Sequence, residues 1–355
     1  MDKRKIPEMK PLFKERMQKL LGEEFETYEE ILKKPIVKSI RCNPLKISPE
    51  ELKEKLNEKG WKISCPWKDH PEIIIVEGKE ITISPETIEN QVLKIQENLK
   101  ETIESLSPGE LGRSLEHLLG YYYVQELASM LPIISLSPKP HEKFLDLCAS
   151  PGSKTTQAAA MMKNTGNIIA NEVSIGRIII LCSNLERCSV TNTIVTKKDG
   201  VAFCQKVLKY NPELKFDKIL VDAPCSGEGT LRSTPKTYLM WSINTVKSLS
   251  ILQKKLFKSA FRALKVGGEM VYSTCTHAPE ENEEVVSEML EYFKDSIEIL
   301  PTNLPIKSRE GITKWEEKEY NEKVKKCSRI YPQDNDTEGF FVSKFKKIKE
   351  IENDI

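Results

Sequence analysis

Phe144-Leu145-Asp146-Leu147-Cys148-Ala149-Ser150-Pro151-Gly152-Ser153-Lys154-Thr155-Thr156 is the stretch that decides the fold of this chain of 355 residues. An apolar run with an acid near its end passes through a turn of small residues into 153–162, whose pattern predicts a helix. The backbone N–H groups at such a turn are unpaired and lie at the positive end of the helix dipole, so they suit the polar part of a nucleotide-like ligand. The turn has neither the G-x-G-x-x-G nor the G-x-x-x-x-G-K-[ST] spacing, so neither a dinucleotide nor ATP is indicated.

Strand and helix patterns alternate from this stretch onward. Amphipathic segments such as 175–187 and 249–264 separate the apolar runs. The strand candidates are 144–148, 167–173, 193–196, 216–223 and 269–274. This alternation predicts an α/β fold with a mainly parallel, doubly wound sheet and helices on both faces. In such sheets the ligand binds beyond the carboxyl ends of the strands.

Polar residues follow these strands at that edge of the sheet. They are Glu172, Asp199, the run Asp222-Ala223-Pro224-Cys225 and the run Ser273-Thr274-Cys275. Carboxylates suit the ribose hydroxyls and the adenine amine of a nucleoside. Each feature alone is weak, but several strand ends that carry polar groups together predict one site.

The segment before the opening stretch has a different pattern. Residues 9–34 have helical spacing, 37–43 alternate like a strand, and Ser48-Pro49-Glu50-Glu51 predicts a capping box. Further strand candidates lie at 61–65 and 72–76, a helix candidate lies at 89–106, and Ser107-Pro108-Gly109 is typical of a linker. The sequence therefore predicts a small α+β domain over 1–107 and a second domain over 108–355. The aromatic run Tyr121-Tyr122-Tyr123 is interpreted as core in preference to a base-stacking surface.

Composition excludes several classes of protein. Charged residues are 30% and hydrophobic residues 39%, and no apolar run has the length of a membrane span, so a cytoplasmic protein without membrane contact is expected. The nine cysteines include no C-x-x-C pair and the four histidines are dispersed, so neither a disulfide framework nor a metal site is indicated. A net charge of +1 gives no global sign of nucleic-acid binding.

Six motifs together resemble the RNA 5-methylcytosine methyltransferases of the RsmB/NOP/NSUN type, which use S-adenosylmethionine. They are DLCASPGSKTTQ at 146–157, NEVSIGR at 171–177, KDG at 198–200, DAPCSGEGTLR at 222–232, YSTCTHAPEENEEVV at 272–286 and DTEGFFVSKF at 336–345. The resemblance is nearest to the archaeal and eukaryotic tRNA enzymes. It implies a Rossmann-like class I methyltransferase sheet preceded by a small RRM-like, RNA-binding domain, and it makes RNA, above all tRNA, the expected partner.

The resemblance also implies a role for each matching residue. The loop that wraps the methionine part of the cofactor would be Cys148, Ala149, Ser150, Pro151, Gly152, Ser153 and Lys154. Glu172 would bind the ribose hydroxyls with support from Arg177, Asp199 would contact the adenine, and Asp222 would lie between cofactor and base. Cys275 would be the nucleophile, Cys225 would assist product release, and Lys154 would help to position Asp222. His277 stands where an apolar residue is common in the family and is interpreted as a tolerated variant.

The chemistry explains why such groups are needed. Carbon 5 of cytosine is a poor nucleophile until a thiolate adds to carbon 6 and an acid hydrogen-bonds the base at nitrogen 3. The residues alone do not choose between the two cysteines, because an Asp-Pro-Cys loop carries the nucleophile of DNA cytosine methyltransferases and favours Cys225. The resemblance favours Cys275. The other cysteines (Cys42, Cys65, Cys182, Cys188, Cys204 and Cys327) are expected to be inert and buried.

Several alternatives stay open. The substrate is tRNA or rRNA, and a catalytically silent, cofactor-binding RNA assembly factor is a third possibility. A DNA methyltransferase is disfavoured because the sequence has no separate target-recognition region. Arg232 is a candidate contact to a phosphate or else an ordinary exposed arginine. Residues 340–345 are predicted to be a final buried strand, followed by a solvated tail of lysines.

Overall fold

The computed structural model describes residues 8–80 and 103–351, which form two compact units. The larger unit contains residues 8–36, 127–186 and 190–351, and the smaller unit contains 37–80, 103–126 and 187–189. The boundary placed between 107 and 108 from the sequence falls inside the smaller unit, and residues 8–36 belong to the larger one. Most of the helix candidate at 89–106 lies outside the described residues, and 103–104 form a short strand.

Two helices begin the larger unit. Helix α1 spans Pro11–Leu21 and α2 spans Phe25–Leu32, with a 3-10 turn between them. Their buried side chains, among them Phe13, Met17 and Tyr28, form one apolar cluster with Trp241 and Tyr331. The sequence predicts helices here, and this shared cluster explains why they belong to the larger unit.

The smaller unit is built on an antiparallel sheet. Its elements are β1 (Lys38–Cys42), α3 (Pro49–Glu58), β2 (Trp61–Ser64), β3 (Ile73–Glu80), β4 (Ile103–Glu104), α4 (Glu110–Arg113), α5 (Leu115–Leu118) and β5 (Tyr122–Val124). The strand order is β2-β3-β1-β5, and β4 also pairs with β3. The capping box is confirmed, because Ser48 Oγ accepts from Glu51 N at 3.2 Å and Glu51 Oε2 accepts from Ser48 N at 3.1 Å. Tyr122 lies in the core, as expected for part of the aromatic run.

The rest of the larger unit alternates strands and helices before it ends in a strand-rich segment. Its elements are α6 (Leu127–Leu136), β6 (Lys143–Asp146), α7 (Ser153–Met161), β7 (Asn167–Glu172), α8 (Ile175–Arg187), β8 (Thr193–Lys197), α9 (Gly200–Tyr210), β9 (Phe216–Asp222), α10 (Thr237–Met240), α11 (Ile243–Ala263), β10 (Leu264–Thr274), α12 (Glu283–Phe293), β11 (Ile297–Leu300), β12 (Arg309–Glu310), β13 (Lys314–Trp315), β14 (Lys318–Glu319), β15 (Ser328–Ile330), α13 (Pro332–Asn335) and β16 (Phe340–Lys347). Short 3-10 turns add to these, including one at Glu228–Thr230.

Within the described residues, the large sheet has nine strands in the order β12-β15-β16-β10-β9-β6-β7-β8, with β11 beside β16. Strands β6 to β10 pair in parallel, whereas β16 runs antiparallel to β10. The predicted doubly wound sheet is confirmed. Helices α9, α11 and α12 pack against it in one apolar cluster, and α6 contacts β9, β10 and β16. Strand β6 lies between β7 and β9, so the strand order reverses there, which is where such sheets bind ligands.

The lysines near the end of the chain are not simply a solvated tail. Lys347 is buried, and its Nζ donates to Leu264 O at 2.9 Å, while Lys344 pairs with Glu269 at 3.1 Å. Both lie on β16, an interior strand of the sheet, and each ammonium group has a partner. The predicted buried strand over 340–345 is confirmed and extends to Lys347. No helix among the described residues has the length and apolar character to cross a bilayer.

Candidate active site

A cavity of about 300 Å³ lies at the carboxyl ends of the parallel strands. It brings together the polar strand ends that the sequence predicts to share one site. The lining residues are Leu147, Cys148, Ser150, Asn171, Glu172, Val173, Arg177, Lys198, Asp199, Gly200, Asp222, Ala223, Pro224, Cys225, Leu252, Leu256 and Cys275.

The turn after β6 forms one wall of this cavity. Gly152 has φ of 99°, and a Cβ there would lie 2.9 Å from Leu181 Cδ1, so a glycine is required at the start of α7. Ser150 Oγ donates to Arg177 O at 3.0 Å, and the Arg177 guanidinium donates to Ser150 O at 2.7 Å. Cys148 and Ser150 line the cavity, whereas Ala149, Pro151, Gly152 and Ser153 form the turn and the first helical residue.

Two groups in this wall have perturbed acidities. Burial raises the pKa of Asp146 to about 7, and this carboxyl accepts from Thr155 Oγ1 at 2.7 Å. Burial also raises the pKa of the Cys148 thiol well above its ordinary value. The Cys148 thiol therefore favours its protonated form and fits a packing role better than that of a nucleophile.

Glu172 ends strand β7, and Arg177 lies beside it in the first turn of α8. Glu172 is 2% exposed, its Oε1 accepts from Ser174 N at 3.0 Å, and its Oε2 lies 3.3 Å from an Arg177 nitrogen. Asp199 caps α9 by accepting from Ala202 N at 3.0 Å and also lines the cavity. These carboxylates are acceptors for hydroxyl or amine donors of a nucleoside.

Asn171 is a residue that the sequence analysis missed. Its buried amide donates to Leu147 O at 3.1 Å and to Lys198 O at 3.0 Å, and it accepts from Thr196 Oγ1 at 3.0 Å. It therefore ties three strand ends into one rim. The signals in the sequence were its place near the end of an apolar strand and at the start of the NEVSIGR motif.

Asp222 is held from two sides. Lys154 Nζ lies 2.7 Å from Asp222 Oδ2 and donates to Ser129 Oγ at 3.0 Å. Ser273 Oγ donates to Asp222 Oδ1 at 2.7 Å. The Lys154 side chain is only 8% exposed, so this ion pair is partly screened from water. The sequence placed Lys154 and Asp222 in the site but missed the contributions of Ser129 and Ser273.

The two motif cysteines face each other in the cavity, with Cys225 Sγ 3.2 Å from Cys275 Sγ. The Cys275 thiol, together with burial, raises the pKa of Cys225 well above its ordinary value. All nine cysteines are free. Of the six expected to be buried and inert, Cys42, Cys188, Cys204 and Cys327 are buried. Cys65 is exposed in the loop that follows β2, and Cys182 is half-buried on α8.

Arg232 and His277 both contact other groups of the protein, away from the cavity lining. The buried Arg232 side chain donates to Pro35 O at 2.8 Å and to Thr337 O at 3.0 Å and pairs with Asp336, so both predicted alternatives, a phosphate contact and an exposed arginine, are wrong. The His277 ring stacks on Tyr331 with centroids 4.9 Å apart. Burial lowers the pKa of His277 to about 3, so the ring is neutral, in agreement with its interpretation as a tolerated variant.

A parallel sheet of this order, with an acidic cleft at the point where its strand order reverses, defines a Rossmann-like class I methyltransferase fold. The chain belongs to the RsmB/F family of RNA cytosine-5 methyltransferases. Residues 133–346 match the family described as 16S rRNA methyltransferase RsmB/F, and residues 9–85 match the N-terminal domain of 16S rRNA methyltransferase RsmF. The family confirms both the resemblance and S-adenosylmethionine as the cofactor.

Individual relatives agree with this placement. The chain is 40% identical to the tRNA (cytosine(49)-C(5))-methyltransferase of Pyrococcus abyssi, over 92% of each chain. It is also 40% identical to the ribosomal RNA small subunit methyltransferase F of Aliivibrio fischeri, over 89% of this chain but only 59% of that protein's length.

Solved structures of archaeal proteins have the same fold. A methyltransferase homolog from Pyrococcus horikoshii has a TM-score of 0.75 at 32% identity and covers 95% of this chain and 94% of its own. NSun6 from Pyrococcus horikoshii with SFG has a TM-score of 0.75 at 25% identity and covers 95% and 97%. Among the described residues, no group of three or more His, Cys, Asp or Glu is arranged to hold a metal ion.

Proposed function

We propose that this protein transfers a methyl group from S-adenosylmethionine to carbon 5 of a cytosine in tRNA, through a covalent adduct between Cys275 and the base. The observation that carries the proposal is the separation of 3.2 Å between the Cys225 and Cys275 sulfurs in the cavity that also contains Asp222 and Glu172. A carboxyl and two thiols converging on one cavity match the needs of cytosine methylation.

The cavity fits the cofactor. Its volume of about 300 Å³ lies at the lower end of the range for small-molecule sites. Glu172, fixed by Arg177 and Ser174 N, offers acceptor oxygens for ribose hydroxyls, Asp199 offers them for the adenine amine, and the turn at Cys148 to Lys154 would hold the methionine part. S-adenosylmethionine supplies an electrophilic methyl group when it is bound.

Cys275 and Asp222 would activate the base. The Cys275 thiolate adds to carbon 6, and electron density then develops at carbon 5. Asp222, fixed by Lys154 and Ser273, would accept a hydrogen bond from the amino group of the cytosine and, when it carries a proton, would donate one to nitrogen 3. Extrusion of a stacked base costs a few kcal/mol, so an unpaired or junction cytosine is the easier substrate.

Cys225 would resolve the adduct. After methylation, the proton on carbon 5 leaves to a water that Cys225 holds, and its electron pair re-forms the double bond between carbons 5 and 6. The Cys275 thiolate is expelled in the same elimination. The neighbouring thiol and burial raise the pKa of Cys225, so it enters this step protonated. It can pass its proton to the expelled Cys275 thiolate while the water returns the carbon 5 proton to Cys225.

Two observations bear on the RNA substrate. The tRNA methyltransferase relative aligns over 92% of its own length, whereas the rRNA relative from Aliivibrio fischeri aligns over 59% of its length. The alignment with nearly the whole of the tRNA enzyme supports tRNA. The second candidate is rRNA, because both family descriptions name 16S rRNA enzymes.

The first experiment measures methyl transfer from labelled S-adenosylmethionine to unmodified tRNA and small-subunit rRNA transcripts. Labelled 5-methylcytosine in tRNA supports the proposal, and label in rRNA alone replaces tRNA with the second candidate. Cofactor binding with no label in either RNA would instead indicate a silent assembly factor.

The second experiment separates the cysteine roles. Cys275→Ala is expected to abolish label, whereas Cys225→Ala is expected to accumulate an RNA–protein adduct on a denaturing gel. An adduct that forms in Cys275→Ala and disappears in Cys225→Ala would reverse the two roles.

A further inference from the structure

The loop that carries Cys225 is held by residues on both sides of the cysteine. Gln253 Nε2 on α11 donates to Pro224 O at 2.9 Å, and Glu281 Oε2 accepts from Ser226 N at 3.0 Å. The same Gln253 nitrogen donates to Glu281 Oε2 at 2.7 Å. The backbone before and after Cys225 is therefore fixed by one hydrogen-bonded pair of side chains.

This pair is fully buried. Both Gln253 and Glu281 are 0% exposed, and the Glu281 main chain is fixed by Tyr272, whose hydroxyl donates to Glu281 O at 2.6 Å. Tyr272 belongs to β10, the strand that ends just before Cys275. Glu281 thus connects the Cys225 loop to β10, the strand that immediately precedes Cys275.

The residues that follow the two cysteines are also joined. Ser226 Oγ lies 2.8 Å from Thr276 Oγ1, and Gly229 N donates to Cys275 O at 2.9 Å. These links act between the two loops, whereas the Gln253–Glu281 pair anchors the Cys225 loop to α11 and to the segment after β10. The short distance between the sulfurs depends on both sets of contacts.

We infer that Glu281, acting with Gln253, is a positioning residue that fixes the Cys225 thiol beside Cys275 and so sets the rate at which the covalent RNA adduct is resolved. This inference rests on the proposed function, in which Cys225 acts after methyl transfer. Loss of the pair would displace Cys225 and leave Cys275, Asp222 and the cofactor side of the cavity in place. The slow step would then be release of the RNA and not methylation.

The Glu281 carboxyl has a second feature. Its Oε1 is buried and has no hydrogen-bond partner among the described residues, so one oxygen accepts both hydrogen bonds. A glutamine side chain has one acceptor oxygen and can accept the same two bonds. Glu281→Gln is therefore the conservative variant and Glu281→Leu the disruptive one.

The first test requires no RNA. Phenylarsine oxide joins two neighbouring thiols to arsenic with loss of one water molecule, so its affinity reports how close the sulfurs are. We expect Gln253→Met and Glu281→Leu to weaken binding of phenylarsine oxide at least about tenfold, with partial recovery in Glu281→Gln. Gln205→Met, the same exchange at an exposed position on α9, is the matched control. Unchanged binding in well-folded Gln253→Met and Glu281→Leu would overturn the inference.

The second test follows the RNA reaction. In Gln253→Met the first turnover is expected to stay within about threefold of wild type, while steady-state turnover falls about tenfold or more and adduct accumulates as in Cys225→Ala. A merely structural role would lower both rates together without accumulation of adduct, and that result would overturn the inference. If Cys225→Ala itself gives no adduct, the proposed role of Cys225 fails. The phenylarsine oxide result then tests only whether Glu281 and Gln253 hold the Cys225 thiol beside Cys275.

Discussion

Among the described residues, Lys154 is the only basic side chain that forms an ion pair with Asp222. We expect Lys154→Met to lower the rate of methyl transfer by about 10² to 10⁴, because the carboxyl loses its fixed partner and its alignment with the base. Lys163→Met, an exposed lysine two residues beyond α7, is the matched control. Rates of label transfer under saturating cofactor measure the effect, and an unchanged rate in Lys154→Met would remove Lys154 from the proposed mechanism.

His277 makes the folded protein sensitive to acid. Burial lowers its pKa from 6.5 to about 3, so the unfolded chain binds a proton in this window that the folded chain does not. Stability from this group is present above about pH 6.5 and is lost as the pH falls toward 3. From about pH 7.5 to about pH 5, wild type is expected to lose about 2 kcal/mol more unfolding free energy than His277→Val. Denaturant titrations of both proteins at several pH values measure this difference, and parallel pH curves would contradict it.

At the scale of elements, the 3-10 turn at Glu228–Thr230 connects the loop that begins at Cys275 to the start of the last strand. Gly229 N donates to Cys275 O, and Gly339 N donates to Gly229 O, both at 2.9 Å. A Cβ on Gly229 would lie 2.2 Å from Gly339 O and 2.9 Å from Cys275 O. We therefore expect Gly229→Ala to cost about 1–3 kcal/mol of unfolding free energy and to lower the rate of adduct formation.

The control for Gly229→Ala is Gly112→Ala, because a Cβ at Gly112 meets no atom within 4 Å. Thermal unfolding and adduct yield are measured for both. If both variants have the same thermal stability and adduct yield, the backbone at Gly229 accommodates the added Cβ without displacing Cys275.

The apolar patterns of the sequence explain which elements could be predicted from it. Strands β7 and β9 begin at the predicted residues because each is a short apolar run that is mostly buried. Helix α8 has the predicted bounds and buries Leu181 and Leu185, which lie one turn apart. Asn171, Gln253 and Glu281 were not predicted as site residues, because their roles depend on partners distant in the chain. Arg232 was misjudged for the same reason: its acceptors near residues 35 and 337 are remote in sequence.

At the scale of the whole molecule, the sequence predicted helices at 9–34 but assigned them to the wrong neighbours. An amphipathic pattern shows that one face is buried and does not show against what. In the structure, that face packs on residues from 231 to 331, and Arg16 pairs with Glu280 at 2.7 Å, close to the motif that contains Cys275. The first helices are therefore part of the catalytic unit.

This placement has a measurable consequence for stability. Met17 is 2% exposed in the cluster, so Met17→Ala is expected to cost about 2–5 kcal/mol. Because α1 belongs to the larger unit, the amides of β10 should lose protection from hydrogen exchange together with those of α1, by about 30-fold or more. Leu52→Ala, a core substitution in α3 of the smaller unit, is the control and should act first on the amides of β1. If Met17→Ala loosens α1 while β10 keeps its wild-type protection, the first helices unfold independently and do not stabilise the sheet that carries Cys275.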